Sequence, residues 1–356
     1  MNRRSFIKKA AMSLIGGSLI FQQNSCRRRK ERPRLTFLHI SDTHLQEGIP
    51  AYALVREKVD AFIDAVNSEQ DFPLPDFVLH TGDMIHGEKL ERLLPECLFA
   101  KQTLERLACP WHPVVGNHEV IQREGHPQYQ AAYEQVFGAD RVNYAFERSG
   151  LVFILLNSSS GLASPTVNID RIERPDKADI IDHLNRHGGD WLPAAIEKRN
   201  SWLQEVLRDT ASAQKIVACH IPLISIREEE VLRQSFGFFS YKMLGDELVA
   251  LVEAQQNIKA VLSGHLHLSG AVQQNRITHV VTSGFASYPC HFSRWAVYAD
   301  SIEVDFYQLA PHLVTPETNI HGARRHGKNF TDDLHPTAEE YVAGNSDENH
   351  RQILLN

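Results

Sequence analysis

Residues 35–44 read LTFLHISDTH, an apolar run that ends in an aspartate and a histidine. The apolar and β-branched side chains of residues 35–41 predict a buried β-strand. Residues 52–68 follow with apolar side chains at helical spacing, and a second apolar run comes next. Strands that alternate with amphipathic helices are typical of layered α/β folds. The stretch therefore predicts an α/β domain whose first strand brings Asp42 and His44 to one end of a sheet.

The alternation of strands and helices continues to about residue 310. Further strands are predicted at residues 76–81, 112–115, 144–147, 151–157, 215–220, 259–263, 268–272, 278–283 and 295–308. Further helices are predicted at residues 88–107, 128–136, 191–209 and 244–254. The last three strands are expected to be consecutive and antiparallel.

Two segments depart from this pattern and set the expected domain limits. Residues 158–192 are polar, contain several glycines and prolines and show little period. We predict that they form a surface insertion in a domain that spans residues 34–312. Residues 313–356 are polar and aperiodic, and we predict a C-terminal tail that wraps the body or hangs free.

The amino end has the features of an export signal. Residues 1–30 contain eight basic residues and no acidic one. Residues 2–8, NRRSFIK, resemble the twin-arginine motif, and the apolar stretch behind them, residues 10–21, is shorter than the roughly 20 residues that a spanning helix needs. We therefore predict a signal peptide over residues 1–30, the twin-arginine export machinery as a partner, and a periplasmic or cell-envelope location in a bacterium. The alternative is a disordered basic tail on a cytosolic protein.

The cysteines predict neither a thiolate metal site nor a complete set of disulfides. There are five, no two have metal-ligand spacing, and an odd number leaves one unpaired. Cys26 is a candidate for lipid attachment, although Gln23-Asn24-Ser25 in front of it matches a lipobox poorly. Cys219 lies in an apolar strand, which favours a buried free thiol.

The charge of the remaining chain limits its partners. The net charge is −7, but without the eight basic residues of the amino end 29 basic residues face 44 acidic ones, a balance of about −15. Nucleic acids and anionic membranes bind proteins through basic patches, so neither is an expected partner. A small phosphorylated substrate is compatible with an acidic chain, because bound metal ions create a local positive site.

Five short polar motifs follow predicted strands. They are His39-Ile40-Ser41-Asp42-Thr43-His44, Thr81-Gly82-Asp83, Gly116-Asn117-His118-Glu119, His220 and Gly264-His265-Leu266-His267. Side chains beyond the carboxyl ends of strands in an open α/β sheet converge on one cleft. Carboxylate, amide and imidazole ligands suit Mn, Fe, Zn or Co better than Ca. Because the set exceeds what one tetrahedral ion requires, it predicts two metal ions bridged by a carboxylate.

The ordered set of motifs resembles that of the calcineurin-like metallophosphoesterase family, over residues 42–267. The resemblance implies two mixed β-sheets packed as a sandwich and flanked by α-helices, a four-layer α/β/β/α fold. It also implies two divalent or trivalent ions. One would be held by Asp42, His44, Asp83 and His267, and the other by Asp83, Asn117, His220 and His265. His118 resembles the active-site histidine of the family, which stabilises the transition state or protonates the leaving oxygen.

Two residues depart from the family pattern, and several histidines outside the motifs are weaker candidates for a functional role. Glu119 stands where many members have Asp, and we expect it to orient His118. His86 stands where many members have Asp. Taken singly, each motif is more often a turn, a cap or a core histidine. His39 and His80 are expected to be structural or to support a ligand, and no role is assigned to the remaining histidines, His112, His126, His279 and His291, although His291 could line the cleft.

The expected chemistry is hydrolysis of a P–O bond by a metal-bridging hydroxide. We favour a phosphodiesterase, since His118 offers a proton to a departing alkoxide. One alternative is a phosphate-scavenging phosphomonoesterase that uses Arg171, Arg174 or Arg227 as an additional cation. Another is a phosphate-ligand-binding protein of the same fold with little turnover, and the acidic chain disfavours a nuclease. The sequence leaves the substrate, the metals and the oligomeric state open.

Overall fold

A computed structural model describes residues 20–22, 32–47, 53–69, 71–87, 90–120, 126–159, 191–236, 247–314 and 330–355. The strands, in chain order, are β1 (Ile20–Gln22), β2 (Leu35–Ile40), β3 (Phe77–His80), β4 (Trp111–Pro113), β5 (Tyr144–Arg148), β6 (Leu151–Leu155), β7 (Gln214–Ala218), β8 (Ile258–Ser263), β9 (Gly270–Gln274), β10 (Ile277–Val281), β11 (His291–Val297), β12 (Ser301–Leu309) and β13 (His350–Leu354). The helices are α1 (Ala53–Ser68), α2 (Leu90–Leu104), α3 (His126–Phe137), α4 (Trp191–Asp209), α5 (Glu229–Phe236), α6 (Glu247–Glu253) and α7 (Ala338–Ala343). None of the helices in these ranges is long and apolar enough to cross a bilayer.

The strands form two mixed sheets. The first sheet has the order β1-β12-β11-β2-β3-β4. β13 also pairs with β12, on the same edge as β1: β1 lies beside the carboxyl end of β12, and β13 lies beside its amino end. Strands β2, β3 and β4 are parallel, and β11 runs antiparallel to β2. The second sheet has the order β5-β6-β7-β8-β10-β9, with parallel strands β6, β7, β8 and β10 between antiparallel edges.

Aromatic rings from both sheets meet in the middle of the molecule. Phe37 of β2 stacks on Phe77 of β3 at 5.0 Å and contacts the edge of Phe153 of β6, in the second sheet, at 5.4 Å. Leu38 and Ile40, on the opposite face of β2, pack against the apolar residues of α1 and α2. Both faces of β2 are therefore buried, which is why its sequence is almost continuously apolar.

The second sheet is covered on its outer face in the same way. Val217 of β7 and Val261 of β8 belong to one apolar cluster with Leu203 of α4 and Leu248 of α6. The layers are helices, first sheet, second sheet and helices. This arrangement confirms the predicted α/β/β/α sandwich.

The strands after residue 268 differ from the prediction. Residues 295–308, predicted to be one strand, belong to two strands of a hairpin, β11 and β12, which reverses between Tyr298 and Ser301. The predicted antiparallel series is correct for β9 and β10, which pair antiparallel, but wrong for the third member, because β11 and β12 lie in the first sheet. The reversal contains neither Gly nor Pro, so the turn had no strong signal in the sequence.

Residues 330–355, here called the carboxy-terminal strap, lie against the body of the protein. β13 extends the first sheet by pairing with β12, from Ser301 opposite Leu354 to Asp305 opposite His350. The strap thus shares a sheet with residues of the predicted domain, and it wraps the body as one of the two predicted alternatives has it. Most of the predicted signal peptide and residues 160–190 of the predicted insertion lie outside the described residues, while residues 20–22 pair with β12.

A buried ion pair anchors the strap. Arg227 Nη1 donates to Glu348 Oε1 at 3.0 Å, and both side chains are almost completely buried. His335 lies between two carboxylates, with Nδ1 2.6 Å from Asp332 Oδ1 and Nε2 2.7 Å from Glu348 Oε2. His335 thus connects Asp332 to the Arg227–Glu348 pair, and the four side chains form one buried polar network. The network also corrects one expectation, because the buried and paired Arg227 is not a cation available to a substrate.

We expect Glu348→Gln to lower the free energy of unfolding by about 3 kcal/mol at pH 7, because the Arg227 guanidinium would stay buried without its counter-charge. Burial opposes ionisation of Glu348, but the hydrogen bond from His335 and the charge of Arg227 outweigh it and lower its pKa. A carboxylate whose pKa is lower in the folded than in the unfolded protein stabilises the fold. The full stabilisation is present above the pKa of the unfolded state, and it is lost as the pH falls through the pKa of the folded state. Urea unfolding should therefore show that the difference between wild type and variant shrinks below the ordinary glutamate pKa of about 4.3. A difference independent of pH would contradict this.

Candidate binuclear metal centre

The five polar motifs lie at one end of the two sheets. Asp42 and His44 follow β2, Asp83 follows β3, and Asn117 lies four residues beyond β4. In the second sheet, His220 follows β7, and His265 and His267 follow β8. All of these strands are parallel to a neighbour in their sheet, so their carboxyl ends deliver the side chains to a shared edge.

The backbone of the site is held in an unusual conformation. Five of the seven predicted ligands have a positive φ: Asp42 (49°), His44 (41°), Asp83 (53°), His265 (69°) and His267 (53°). Left-handed non-glycine residues cost on the order of 1–3 kcal/mol each and persist where the surrounding structure enforces them. Such a concentration on one set of Asp and His residues marks the place as functional.

Glycines allow the loops of the site to approach one another. A Cβ on Gly264 would lie 1.8 Å from Ser41 Oγ and 2.3 Å from Asp42 Oδ2. A Cβ on Gly116 would lie 2.1 Å from the backbone nitrogen of Asp83. These contacts are too short for any side chain, so the Gly-Asn-His and Gly-His motifs need glycine for the close approach of neighbouring loops.

Asp42, His44 and His267 form the first group of candidate ligands. His267 Nε2 lies 3.3 Å from Asp42 Oδ1 and 3.3 Å from His44 Nε2. His267 Nδ1 contacts Ser287 Oγ at 2.6 Å, which fixes the ring. Asp42 Oδ1 is buried and makes no hydrogen bond to any residue within the described ranges. A buried carboxylate oxygen in this position is costly without a partner, and a cation would satisfy it.

Asp83, His220 and His265 form the second group. His220 Nε2 lies 3.1 Å from Asp83 Oδ2 and 3.0 Å from Asn117 Oδ1. His220 Nδ1 lies 2.8 Å from the carbonyl oxygen of Thr81, to which it donates. That hydrogen bond leaves Nε2 as the ring nitrogen that can bind a metal ion.

Asp83 joins the two groups. Its Oδ2 lies 3.1 Å from His220 Nε2 and 3.8 Å from His44 Nε2. Its Oδ1 accepts a hydrogen bond from the backbone of His118 at 2.9 Å. A carboxylate oxygen between two histidine groups is in the right place to bridge two ions, and the residues present therefore fit a two-metal centre.

Burial and mutual charge set the protonation of the site. Burial opposes ionisation of both carboxylates, but the imidazoles around them outweigh it and hold the pKa of Asp42 and of Asp83 well below its usual range. Burial likewise opposes protonation of His220, but the Asp83 carboxylate raises its pKa to about 9. Burial lowers the pKa of His44 and of His265 to about 3, so both rings are neutral and able to act as ligands.

His118 stands beside the two groups. Its Nε2 lies 3.8 Å from Asp83 Oδ2, and its ring meets His44 edge-on at 4.5 Å. Its side chain is 24% exposed, whereas Asp83 is 2% exposed, so His118 reaches further toward solvent than Asp83 does. Its Nδ1 contacts the carbonyl oxygen of His86, which leaves Nε2 to face an incoming molecule.

Glu119 does not orient His118, and this prediction was wrong. Its Oε2 accepts from the backbone nitrogens of Asp83 at 2.9 Å and Gly116 at 2.6 Å, and its Oε1 accepts from Ile85 at 3.1 Å. None of the hydrogen bonds in the described part of the chain joins Glu119 to the His118 ring. The main chain of His86 takes that role instead. Burial and the nearby Asp83 carboxylate raise the pKa of Glu119 to about 8.

We expect Glu119→Ala to destabilise the protein by at least about 3 kcal/mol, because three buried backbone N–H groups lose their acceptor. Urea unfolding measures this loss. His118→Ala serves as the comparison and should leave the unfolding midpoint almost unchanged, because its ring lies at the edge of the site. Equal stability of the two variants would show that Glu119 does not hold the Asp83 loop.

Other histidines take the places expected of them, with one exception. His39 Nε2 contacts Thr81 Oγ1 at 2.9 Å and His80 Nε2 contacts Thr43 Oγ1 at 3.0 Å, so both support ligand loops from inside the sheet. His291 is buried at the start of β11 and does not line an open cleft. His112 and His279 belong to strands, and the side chain of His126 lies outside the described part of the structure.

Two neighbours of the candidate ligands had little or no signal in the sequence. His86 forms a further cluster with His44 and His118, in which one ligand atom of each lies within 4.8 Å of the others. Its only signal was the departure from the family pattern. Ser287 contacts His267 although it lies 20 residues further along the chain, in a loop without a motif. Cys97, Cys109, Cys219 and Cys290 are free and buried.

A four-layer α/β/β/α sandwich with two Asp/His groups joined by one carboxylate defines the class as that of the binuclear metallohydrolases. The sequence then identifies the family: a model of the calcineurin-like phosphoesterase family matches residues 35–269, more than half of the chain. The chain belongs to the calcineurin-like phosphoesterase family.

Several known proteins resemble the chain at low sequence identity. The chain is 21% identical over 260 residues to a manganese-dependent ADP-ribose/CDP-alcohol diphosphatase of Arabidopsis thaliana, a match that covers 66% of this chain and 78% of the relative. It resembles the crystal structure of a dimetal phosphatase from Danio rerio with a TM-score of 0.53 and 17% identity, over 78% of this chain and 96% of that chain. A purple acid phosphatase from Lupinus luteus has a TM-score of 0.47 at 14% identity, over 76% of this chain and 51% of that chain. At these identities, the structural likeness shows the fold alone.

Proposed function

We propose that the protein hydrolyses a P–O bond at a phosphorus atom that carries two substituents, as in a phosphodiester or a diphosphate. The position of Asp83 carries this proposal, because its Oδ2 lies between His220 Nε2 at 3.1 Å and His44 Nε2 at 3.8 Å. The two groups would hold two metal ions, with Asn117 and His265 completing the second set. Bound ions would supply an acidified water and offset the charge that develops on the phosphate oxygens.

His118 would protonate the leaving oxygen. Its Nδ1 is engaged by the His86 carbonyl, so a proton for the substrate must leave from Nε2, the nitrogen that faces Asp83. A leaving group that departs as an alkoxide needs such a donor more than a phenolate does. The imidazole of His86, with its ring centre 5.6 Å from that of His118, lies close enough to contact the same substrate.

Two observations favour a disubstituted phosphorus over a phosphomonoester. The relative from Arabidopsis thaliana is named as a diphosphatase of ADP-ribose and CDP-alcohols. A monoester dianion would gain from an additional cation, but Arg227 is buried and paired with Glu348. Arg171 and Arg174, the other two arginines considered for that role, lie outside the described residues.

Hydrolysis of three substrates by metal-loaded, full-length protein would test the proposal. They are bis(p-nitrophenyl) phosphate, p-nitrophenyl phosphate and ADP-ribose, each assayed with Mn²⁺. We expect turnover of the diester or of ADP-ribose to exceed that of the monoester. Preference for the monoester would indicate a phosphate-scavenging phosphatase instead. If two ions are bound and none of the three substrates is cleaved, the protein would be a phosphate-ligand-binding member of the family.

We also propose that residues 1–30 direct export through the twin-arginine machinery. Support comes from the sequence alone, namely the paired Arg3 and Arg4 ahead of an apolar stretch. Cell fractionation of a bacterial host should find the wild type in the envelope and an Arg3→Lys/Arg4→Lys variant in the cytoplasm. The same location for both proteins would contradict export by this route.

A further inference from the structure

The loop that carries His265 and His267 has its other side against the carboxy-terminal strap, residues 330–355. The family match ends at residue 269, so the strap lies outside it. We infer that the strap positions His265 and His267 in the metal centre, and that Glu348 and Val342 are positioning residues for metal binding. The inference rests on the proposed metal-dependent function.

Apolar contacts form the first part of this support. Leu266 and Leu268, which alternate with the two histidines, are buried in one apolar cluster with residues of the strap. Their partners in the strap are Phe330, Tyr341 and Val342. The loop thus directs its histidines to the metal centre and its leucines to the strap, so a shift of the strap would be felt at the histidine rings.

Hydrogen bonds to Ser269 form the second part. The backbone nitrogen of Ser269 donates to the carbonyl oxygen of Val342 at 2.8 Å. The carbonyl oxygen of Ser269 accepts from Arg227 Nη2 at 2.7 Å, and the same guanidinium is paired with Glu348 at 3.0 Å. Both backbone polar groups of Ser269, two residues after His267, are therefore hydrogen-bonded. The N–H is bonded to the strap, and the C=O is bonded to Arg227, whose charge is balanced by Glu348 of the strap.

The strap also reaches the loop that fixes the other nitrogen of His267. Ser287 Oγ contacts His267 Nδ1 at 2.6 Å, and the next residue, Tyr288, donates through its hydroxyl to Glu339 Oε1 of the strap at 3.3 Å. His265 and His267 both have left-handed backbones, which persist only where neighbouring structure enforces them. The strap provides that enforcement from behind the loop and from its side.

Metal binding by matched variants of the full-length protein tests the inference. Val342→Ala and Glu348→Gln alter the part of the strap that touches the loop. Ile353→Ala is the control, because Ile353 is a buried residue of β13 in the same strap but packs between the two sheets. Metal-stripped proteins would be titrated with Mn²⁺ by isothermal calorimetry, and the absorption spectra of the Co²⁺ forms would report on ligand geometry. Unfolding midpoints would be measured in parallel.

We expect Val342→Ala and Glu348→Gln to bind at least one of the two Mn²⁺ ions about tenfold or more weakly, the effect of losing support behind a metal ligand. Their Co²⁺ spectra should change, while the control keeps wild-type affinity and spectrum although Ile→Ala removes more buried carbon than Val→Ala. Equal loss of affinity in the control, or wild-type affinity in both loop-side variants, would overturn the positioning role. Fewer than two ions bound by the wild type would instead overturn the proposed metal centre, so the two failures are distinguishable.

Discussion

Asp83→Asn should reduce phosphoester hydrolysis by more than about 100-fold, since even residues that only support a metal ligand cost about 10–100-fold when they are changed. The bound metal should fall from two ions to one or fewer. The reason is geometric, because Asp83 Oδ2 lies near a histidine of each ligand group: 3.8 Å from His44 Nε2 and 3.1 Å from His220 Nε2. An amide has one acceptor oxygen and no charge, so it cannot bridge two cations in the same way. Metal analysis and the diester assay together measure this effect.

Asp76→Asn is the matched control for that variant. Asp76 precedes the same strand, β3, at the opposite end from Asp83, and accepts a hydrogen bond from the backbone nitrogen of Thr36 at 2.8 Å. The control should keep two ions and wild-type activity. Retention of both ions and of activity by Asp83→Asn would mean that the carboxylate is not a bridge, and the two-metal proposal would then fail.

His118→Ala should lower kcat by about 10²–10⁴-fold, the usual contribution of a general acid, while both metal ions stay bound. The ring lies 3.8 Å from Asp83 Oδ2 but does not belong to either ligand group. If His118 donates a proton, the loss should be largest for a poor leaving group such as an alkoxide and smaller for p-nitrophenolate. Assays with an alkyl and a nitrophenyl ester of the same phosphodiester would measure the two losses.

The comparison of leaving groups separates two roles for His118. An equal loss for both esters would indicate stabilisation of charge on the phosphate and not proton donation. His112→Asn is the control, because His112 lies in the same segment of chain and stacks on Phe146 at 4.1 Å, away from the metal centre. Loss of metal from His118→Ala would contradict its place outside the ligand groups.

Much of the candidate site was predictable because its residues follow strands directly. A strand such as β2 is recognisable from its own apolar run, and the polar residues behind it must emerge at the end of a sheet. Asp42, Asp83 and His265 could therefore be placed together before any contact was known. The role of Glu119 could not be placed, because a carboxylate next to a histidine in sequence is not necessarily next to it in space. Its oxygens meet the backbone N–H groups of Asp83 and Ile85, which belong to a distant stretch of chain, and that of Gly116 in its own motif.

The sequence by itself determined the α/β class, the order of the polar motifs and the family, since each depends on the type and spacing of residues that are close along the chain. Only the tertiary structure decided which further groups adjoin these motifs: Glu119 on the backbone of Asp83, Ser287 on His267, and the strap behind the His265–His267 loop. These contacts join residues that are tens to hundreds of positions apart, as for Arg227 and Glu348. The register of strands and the left-handed turns fix such distances, and neither is encoded in a local pattern of residue types.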